Sequence, residues 1–346
     1  MRNNNSSRRS FIKQSAMATG AIAAYPLNIA GNASLQRLAN TRLPREVWIG
    51  GLSQMGLHTA TSRLMMEEVK RILEDIFIYQ PDILCLPEVF PTANTSENLT
   101  LPEQLEICND VLQEFSRLAE RQRCYVICPV YTVENGKTYN AAVVFNRDGS
   151  KQGEYRKIHL TEDEIAYGLT PGPLDPPVFQ AEFGKFGIQI CFDILWDDGW
   201  EKLRHKGADI VFWPSAYAGG QMVNAKAWQH KYVVASSTRH GTAKICDISG
   251  ETLVHTGRWD SNMYCEPVNL EKVFLHTWPY VAHFGAIRKK YGKKVRITNY
   301  HEEEWSVIES LAPDVFVADI LKEFNLKTHE QHTRDAETAQ IKARQG

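Results

Sequence analysis

The stretch from Gly187 to Asp193 reads Gly-Ile-Gln-Ile-Cys-Phe-Asp. Its apolar residues predict a buried strand over residues 186–191 that ends at Cys191. Ligands of α/β sheets bind beyond the carboxyl ends of the strands, so a thiol at this position is a candidate for chemistry. A single cysteine in a strand is more often an inert core residue, so the prediction depends on what surrounds it in the fold.

Two further segments place polar side chains at the ends of predicted strands. Residues 84–90 read Leu-Cys-Leu-Pro-Glu-Val-Phe, which places Glu88 after a short apolar strand and a proline. Residues 155–160 read Tyr-Arg-Lys-Ile-His-Leu, which places Lys157 at the end of a hairpin strand. A lone glutamate or lysine is usually a surface residue, but the three segments together place an acid, a cation and a thiol where ligands bind.

Outward from these segments, helix and strand patterns alternate first and hairpins follow, and this order occurs twice along the chain. The predicted strands lie at 46–53, 83–86, 125–131, 186–191, 208–213 and 232–238, and the predicted helices at 62–78, around 107–118, near 199–206 and at 222–231. One hairpin turns at 146–149, and a further strand pair surrounds residues 249–250. Two helix-covered sheets packed against each other satisfy this order.

Together and in this order, the segments around Glu88, Lys157 and Cys191 resemble the carbon–nitrogen hydrolase (nitrilase) superfamily, and the resemblance covers roughly residues 46–275. The supporting stretches that also look like the family are 207–217 and 228–234. The resemblance implies an α/β fold of four layers, an α-β-β-α sandwich, which agrees with the order of elements above. It also implies a catalytic triad of these three residues that requires no metal and no organic cofactor.

These residue types suit the hydrolysis of an unreactive carbon–nitrogen bond. A sulfur nucleophile divides the reaction into two steps through a covalent intermediate, and its reactive form is the thiolate. The resemblance makes Glu88 the general base and acid, and makes Lys157 and the backbone N–H of Phe192 the groups that stabilise the oxyanion. Ammonia or an amine leaves, a thioester remains on Cys191, and water then releases a carboxylic acid.

The family also has a second glutamate between the lysine and the cysteine, which hydrogen-bonds the lysine and orders the substrate. Glu164 is the best match in this sequence, and Glu162 is the alternative, because three acids occur together at 162–164. Cys124 and Cys128 lie four apart on a predicted strand, hence on one face, and are expected in the core. No cysteine pair has the Cys-x-x-Cys spacing of a zinc site, so a metal site has little support.

The residues after Cys191 bear on the substrate. Phe192-Asp193 stands where true nitrilases usually have Trp-Glu, and residues 194–198 lack the arginine by which carbamoyl amino-acid hydrolases bind a carboxylate. A small linear amide is therefore favoured, with a nitrile or a carbamoyl amide as the alternative. An inactive binding relative would lack a member of the triad, and all three are present. The candidates for substrate contact are Asp193, Trp196, Trp213, Ser215 and Tyr217, although packing beneath the loop explains the aromatic residues equally well.

Charge and composition exclude some classes of protein. The 346-residue chain has 39 Lys and Arg against 41 Asp and Glu, a near-neutral balance that argues against a nucleic-acid-binding protein. Residues 1–33 contain four basic residues and no acid, with Arg8-Arg9 ahead of an apolar stretch, and they resemble a twin-arginine export signal. We therefore expect an exported protein, periplasmic or extracellular, with a disordered basic tail as the alternative. The apolar stretch is shorter than the roughly 20 residues that span a bilayer, so no permanent membrane anchor is expected.

Residues 276–346 are predicted to form a C-terminal extension that packs on the body or on a partner subunit, and the resemblance favours a homo-oligomer. An apolar pattern predicts a helix over 315–324. The basic run at 288–294 is expected to be a solvated loop, and the polar last 20 residues are expected to fray. The seven cysteines are an odd number, so at least one thiol stays unpaired within a single chain, and Cys191 is the best candidate.

Overall fold

Two six-stranded sheets form the centre of the protein. The computed structural model describes residues 42–257, 259 and 261–345, so the predicted export signal at 1–33 lies outside the described residues. The strands of the first sheet are β1 (Glu46–Leu52), β2 (Ile83–Cys85), β3 (Tyr125–Glu134), β4 (Lys137–Phe145), β5 (Lys151–Arg156) and β12 (Met263–Asn269). Their order across the sheet is β12-β1-β2-β3-β4-β5, with β1, β2 and β3 parallel.

The second sheet repeats this arrangement. Its strands are β6 (Val178–Ala181), β7 (Gly184–Ile188), β8 (Ile210–Ser215), β9 (Val233–Thr238), β10 (Lys244–Cys246) and β11 (Thr252–His255). They lie in the order β11-β10-β9-β8-β7-β6, and the central strands β7, β8 and β9 are parallel. Each sheet thus has a parallel centre and antiparallel flanks, as the order of helices and hairpins in the sequence predicts.

Helices cover the outer face of each sheet. The helices of this part of the chain are α1 (Ser62–Phe77), α2 (Leu101–Gln122), α3 (Glu162–Ala166), α4 (Asp198–His205) and α5 (Gln221–His230). One apolar cluster joins α1 and α2 to the first sheet, and includes Val69, Phe115 and Val126. Another cluster joins α4 and α5 to the second sheet.

The inner faces of the two sheets share a third apolar cluster, which contains Ile49 and Ile127 from the first sheet and Phe212 from the second. Successive residues of a strand point to opposite faces, so Ile127 lies in this inner cluster while Cys128 lies in the outer one. The layers therefore run helix, sheet, sheet, helix. This confirms the predicted four-layer α-β-β-α sandwich.

The C-terminal part forms a third, three-stranded sheet. Its strands are β13 (Lys272–His276), β14 (Val295–Tyr300) and β15 (Trp305–Ser310), in the order β13-β15-β14. The accompanying helices are α6 (Val281–Tyr291), α7 (Val317–Glu323) and α8 (His329–Gln345). Phe274 and Tyr300 of this sheet pack edge-to-face against Trp228, with ring centroids 5.4 and 5.9 Å from it. Helix α7 confirms the helix that the apolar pattern over 315–324 predicts.

Two expectations for this part of the chain are wrong. The basic run at 288–294 is no open loop, because its first three residues form the last turn of α6, where cations are favoured by the helix dipole. The last 20 residues contain α8 instead of a frayed end. Thr328 accepts from the backbone N–H of Gln331 at the start of this helix, and Arg334 pairs with Glu330 one turn away. These local contacts give α8 its order without an apolar stripe.

Within the described ranges, no helix combines the length and the apolar character that crossing a bilayer requires.

Candidate active site

The sheets bring the three predicted segments to one cavity. Glu88 follows β2, and Lys157 follows β5 directly, as the sequence predicts. The predicted strand end at Cys191 is wrong, because β7 ends at Ile188 and Cys191 opens a short 3-10 turn over Cys191–Leu195. The φ of Cys191 is 47°, in the left-handed region that non-glycine residues adopt in only a few per cent of cases. The backbone turns sharply at the thiol.

Asp193 and Trp213 hold this turn in place. The carboxylate of Asp193 is fully buried and accepts from the Tyr155 hydroxyl at 2.6 Å and from the backbone N–H groups of Ile190 and His159 at 2.8 Å. The indole N–H of Trp213 donates to the carbonyl oxygen of Cys191 at 3.0 Å. Both side chains are fully buried. Neither side chain lines the cavity at Cys191, and both contact the backbone of this turn. Their contact with substrate stays a prediction.

The other predicted substrate contacts lie around the same turn. Ser215 is fully buried, its Oγ accepts from the backbone N–H of Tyr217 at 3.1 Å, and its side chain lowers the pKa of the Cys191 thiol. Trp196 is 40% exposed and stacks on His159 with ring centroids 4.3 Å apart. Tyr217 is half-buried and packs edge-to-face on the Trp213 ring at 5.5 Å.

Lys157 connects two carboxylates in the cavity. Its side chain is 2% exposed, and its Nζ donates to Glu88 Oε1 at 2.9 Å and to Glu164 Oε2 at 2.8 Å. Glu164 lies in α3, and Glu162 in the same helix is exposed. The structure thus places Glu164, and not the alternative Glu162, against the lysine.

Two residues that the sequence analysis missed complete this cluster. Asn140 in β4 donates from Nδ2 to Glu88 and to Glu164, at 2.8 Å in each case. Arg239 follows β9 and lies with Nη2 3.6 Å from Glu88 Oε2. The sequence contained a signal for each of them. Asn140 is a polar residue beside a run of apolar strand residues. Arg239 is a cation directly after a strand, which is the pattern that identified Lys157.

Burial and neighbouring charges set the protonation states. Burial raises the pKa of Glu88, but Lys157 and Arg239 lower it by more, so the net pKa lies below the ordinary 4.5. Burial lowers the pKa of Lys157, but Glu88, Cys191 and Glu164 outweigh it and raise the pKa overall. Burial and the charge of Glu88 raise the pKa of Cys191 to about 12, against the lowering effect of Lys157. At neutral pH the site holds a thiol, a carboxylate and an ammonium group.

One carboxylate oxygen of Glu88 is available for proton transfer. Oε1 accepts from both Lys157 and Asn140, whereas Oε2 is buried and has no hydrogen-bond partner among the described residues. Leaving a buried carboxylate oxygen without a donor is unfavourable, so this atom is suited to receive a proton from a thiol, a substrate or water.

The cavity itself is small, with a volume of about 180 Å³. Its lining consists of Glu88, Val89, Tyr131, Asn140, Lys157, Thr161, Glu164, Cys191, Ala216 and Arg239. All seven cysteines of the chain are free and buried, but only Cys191 lines this cavity. In the part of the chain that the structure describes, no group of three or more His, Cys, Asp or Glu side chains could hold a metal ion.

Comparison with known proteins identifies the family of this chain. The family model of the carbon-nitrogen hydrolases matches residues 51–273. The chain belongs to the carbon-nitrogen hydrolase family. Among the curated relatives of this chain, the deaminated glutathione amidase of Mus musculus is 32% identical over 161 residues, which are 42% of this chain and 48% of the mouse protein. The deaminated glutathione amidase of Synechocystis is 26% identical over 224 residues, which are 56% of this chain and 81% of that protein. The chain thus spans less than half the length of the mouse relative.

Solved structures share the fold of this chain. A carbon-nitrogen hydrolase from Helicobacter pylori superposes with a TM-score of 0.57 at 20% identity, and covers 71% of this chain and 93% of its own. A mutant of an amidase from Nesterenkonia, in complex with butyramide, has a TM-score of 0.57 at 16% identity, covering 64% and 90%. At these identities the likeness shows the fold alone.

Proposed function

We propose that this hydrolase cleaves small linear amides through a thioester on Cys191. The observation that carries the proposal is the cavity in which a thiol, a carboxylate and a buried ammonium group meet. One oxygen of this carboxylate, Glu88 Oε2, accepts no hydrogen bond among the described residues and lies 3.6 Å from Arg239 Nη2. A carboxylate whose pKa lies below its ordinary value is ionised at neutral pH and can act as the base for a thiol that is still protonated.

The first half-reaction forms the thioester. Glu88 Oε2 takes the proton of the Cys191 thiol as its sulfur attacks the amide carbonyl carbon, and the electron pair of the C=O bond moves to oxygen. Lys157 Nζ and the backbone N–H of Phe192 stabilise this oxyanion. The oxyanion then collapses, the C–N bond breaks, and Glu88 gives its proton to the leaving nitrogen. Ammonia or an amine departs.

The second half-reaction uses water. Glu88 takes a proton from water as its oxygen attacks the thioester carbon, and the same donors stabilise the second oxyanion. The C–S bond breaks, the proton on Glu88 returns to the sulfur of Cys191, and a carboxylic acid leaves. Glu164 and Asn140 act on the reaction through Lys157 and Glu88, because they hold those groups in position.

Substrate size follows from the cavity. A volume of about 180 Å³ admits an amide with a short carbon chain. The similar Nesterenkonia amidase is described in complex with butyramide, and an omega-amidase of Saccharomyces cerevisiae is 26% identical over 170 residues. A nitrile is the second candidate substrate, since a nitrilase of Pyrococcus abyssi is 27% identical over 196 residues.

Ammonia release from matched amides, nitriles and carbamoyl compounds tests the proposal. We expect turnover of short linear amides, and a loss of at least about 10⁴-fold in kcat for Cys191→Ala. The control is Cys85→Ala, which removes a buried thiol that does not line the cavity. Intact mass after reaction with chloroacetamide should show one adduct that disappears in Cys191→Ala. Turnover by Cys191→Ala, or no turnover of any amide by an enzyme that Cys191 labelling shows to be folded, would contradict the proposal.

We also propose that residues 1–33 direct export, on the strength of Arg8-Arg9 and the apolar stretch that follows. Changing both arginines to lysine keeps the charge and removes the paired guanidinium groups. The double variant is expected to remain in the cytoplasm with its leader uncut, as seen by immunoblot of cell fractions. Export of the double variant at the normal level would overturn this assignment.

A further inference from the structure

A second cavity, also of about 180 Å³, shares no lining residue with the active site. It lies where β13 and the first residues of α8 meet the second sheet and α4. Its apolar wall contains Ile248, Leu270, Val273 and Phe274. Its polar wall contains Arg45, Arg204, Asp209, Lys231, Lys272, Thr328, His329 and Glu330. The cavity thus has an apolar side and a charged side.

Among the residues that the structure describes, Lys231 is the cation of this cavity without a carboxylate at ion-pair distance. Arg45 pairs with Asp209 at 2.7 Å, and Lys272 pairs with Asp247 at 2.7 Å. Lys231 Nζ instead lies over aromatic rings, 3.6 Å from the centroid of Trp228 and 4.3 Å from that of Phe274. Within the described ranges, no carboxylate lies at ion-pair distance from it.

Arg204 leaves room for another anion. Its Nη2 lies 3.6 Å from Glu330 Oε2, which is longer than a hydrogen bond. Its Nη1 donates to the carbonyl oxygen of Lys231 at 3.4 Å and to no other acceptor among the described residues. Helix α8 begins at His329, so the positive end of its dipole is at the cavity. These groups place uncompensated positive charge on one wall.

The titration of two residues reflects this excess of positive charge. Burial, and then the charge of Arg204, lower the pKa of Lys231 to about 8, against a raising effect of Glu303. Burial, and then Lys231, Arg204 and His332, lower the pKa of His329 to about 4, against a raising effect of Glu330. An anion among these groups would relieve their mutual repulsion.

We propose that this cavity binds a small monocarboxylate with a short apolar body. The carboxylate lies between Lys231 and Arg204, where charge-assisted hydrogen bonds are stronger than neutral ones. The apolar body packs against Leu270 and Phe274. The single charge of a monocarboxylate matches the single unpaired charge of Lys231. The apolar wall favours a carboxylate with a carbon chain over phosphate, which has no apolar part to pack against it.

Titration of the intact protein with butyrate tests the proposal. The imidazole carbon-bound proton of His329, followed by NMR at constant ionic strength, reports on this cavity and not on the active site. We expect saturable shifts with butyrate and a rise in the pKa of His329 from about 4 toward its ordinary value. Neutral butyramide should cause neither. Phosphate serves as the second anion, and sulfate serves as the salt control.

Variants of Lys231 distinguish a loss of its charge from a loss of folded structure. Lys231→Met keeps the length and apolar stem of the side chain and should weaken butyrate binding about tenfold or more. Lys231→Arg should retain binding, which distinguishes loss of charge from loss of structure. The matched control is Lys289→Met on the exposed face of α6, which should bind as the unaltered protein does.

Several outcomes would overturn the proposal. If butyrate leaves the His329 signal unmoved, the proposed site is wrong, and this measurement needs only the unaltered protein. Equal shifts with butyramide mean an apolar cavity without anion selectivity. Shifts with phosphate or sulfate but not with butyrate mean that the ligand class is wrong. Since His329 is read directly, these results do not depend on whether the enzyme turns over amides.

Discussion

At the scale of single residues, Asn140 keeps two acids at one lysine. Its amide nitrogen donates 2.8 Å hydrogen bonds to both Glu88 and Glu164. Each carboxylate thus accepts a hydrogen bond from Asn140 in addition to the one from Lys157. Two carboxylates that share a site repel each other, and one of their pKa values usually rises. Here the pKa of Glu88 is lowered instead. Lys157 and Arg239 lower this pKa most, and the hydrogen bond from Asn140 adds to their effect. A neutral donor thus helps to keep Glu88 ionised.

Replacing this donor should move the pH profile. Asn140→Asp puts a third carboxylate beside Glu88 and should raise its pKa. In the proposed mechanism ionised Glu88 is the base, and its pKa lies below 4.5. Activity of the unaltered protein should therefore persist as pH falls to 4.5 and be lost below it. In Asn140→Asp the loss should begin at higher pH, as measured by kcat/KM against pH.

The matched control is Asn146→Asp, in the turn between β4 and β5, which should leave the profile unchanged. A uniform fall in kcat/KM at every pH, with no movement of the acid limb, would show that Asn140 serves structure alone.

The lowered pKa of Glu88 also makes the stability of the fold depend on pH. A lowered pKa of Glu88 stabilises the fold above its unfolded-state pKa, and this stabilisation is lost as pH falls through the folded value.

At the scale of elements, the short helix α3 shares one side chain between its cap and the active site. Thr161 Oγ1 accepts from the backbone N–H of Glu164 at 3.2 Å, and Glu164 Oε2 accepts from the backbone N–H of Thr161 at 2.9 Å. The same Oε2 accepts from Lys157. The capping box thus fixes the carboxylate that orients the lysine.

Removing the cap should affect catalysis as well as stability. Thr161→Ala should lower stability by about 1 kcal/mol. It should also lower kcat by about tenfold or more, because Glu164 loses its fixed position beside Lys157. Thermal unfolding and steady-state kinetics measure the two effects, and Thr161→Ser should restore both.

The control for this change is Thr61→Ala, which removes the cap of α1, where Thr61 accepts from the N–H of Leu64 at 3.3 Å. It should lower stability by a similar amount and leave kcat unchanged. If both variants reduced kcat equally, the link between the α3 cap and Lys157 would be wrong.

The same elements show how far the sequence could be interpreted. Helix α1 was predicted nearly to its ends, because its apolar residues recur at helical spacing and become buried on one face. Helix α3 was not predicted, because it is only five residues long and buries none of them, so no periodic signal exists. Helix α8 was missed for a similar reason, since local caps and ion pairs hold it in place of an apolar stripe.

Some residues of the candidate site could likewise be predicted from the sequence, and others could not. Glu88, Lys157 and Cys191 occur in short motifs that follow strands, so their meeting was predictable from the order of the motifs. Asn140 was not, because its contact with Glu88 depends on strand register: Asn140 pairs with Tyr131, and β5 lies beside β4. Register is a property of the sheet and not of any one stretch of the chain.

At the scale of the whole molecule, a buried ion pair attaches the third sheet to the sandwich. Lys272 Nζ in β13 lies 2.7 Å from Asp247 Oδ1, and 3.8 Å from Glu309 of β15. The lysine side chain is 7% exposed and both acids are 14% exposed. Buried partners of this kind are sensitive to the loss of one member.

Removing the lysine should loosen this attachment. Lys272→Met leaves Asp247 and Glu309 without their shared cation and should lower the free energy of unfolding by about 3–5 kcal/mol. Urea unfolding measures this change. Lys70→Met, which breaks the exposed pair with Glu114 at 2.7 Å, is the control and should cost less than about 1 kcal/mol. Equal losses would mean that burial does not strengthen the Lys272 pair.

The charges that line the active site have a consequence for where the enzyme can work. Glu88 and Glu164 are matched by Lys157 and Arg239, so the lining carries no net charge. The amide substrate that we propose has no net charge, so no long-range attraction or repulsion acts on it, and dissolved salt has no steering to screen. The rate of encounter should stay the same in fresh and in saline surroundings. Since we propose that the protein is exported, its rate of encounter with substrate would not depend on an external salt concentration that the cell does not control.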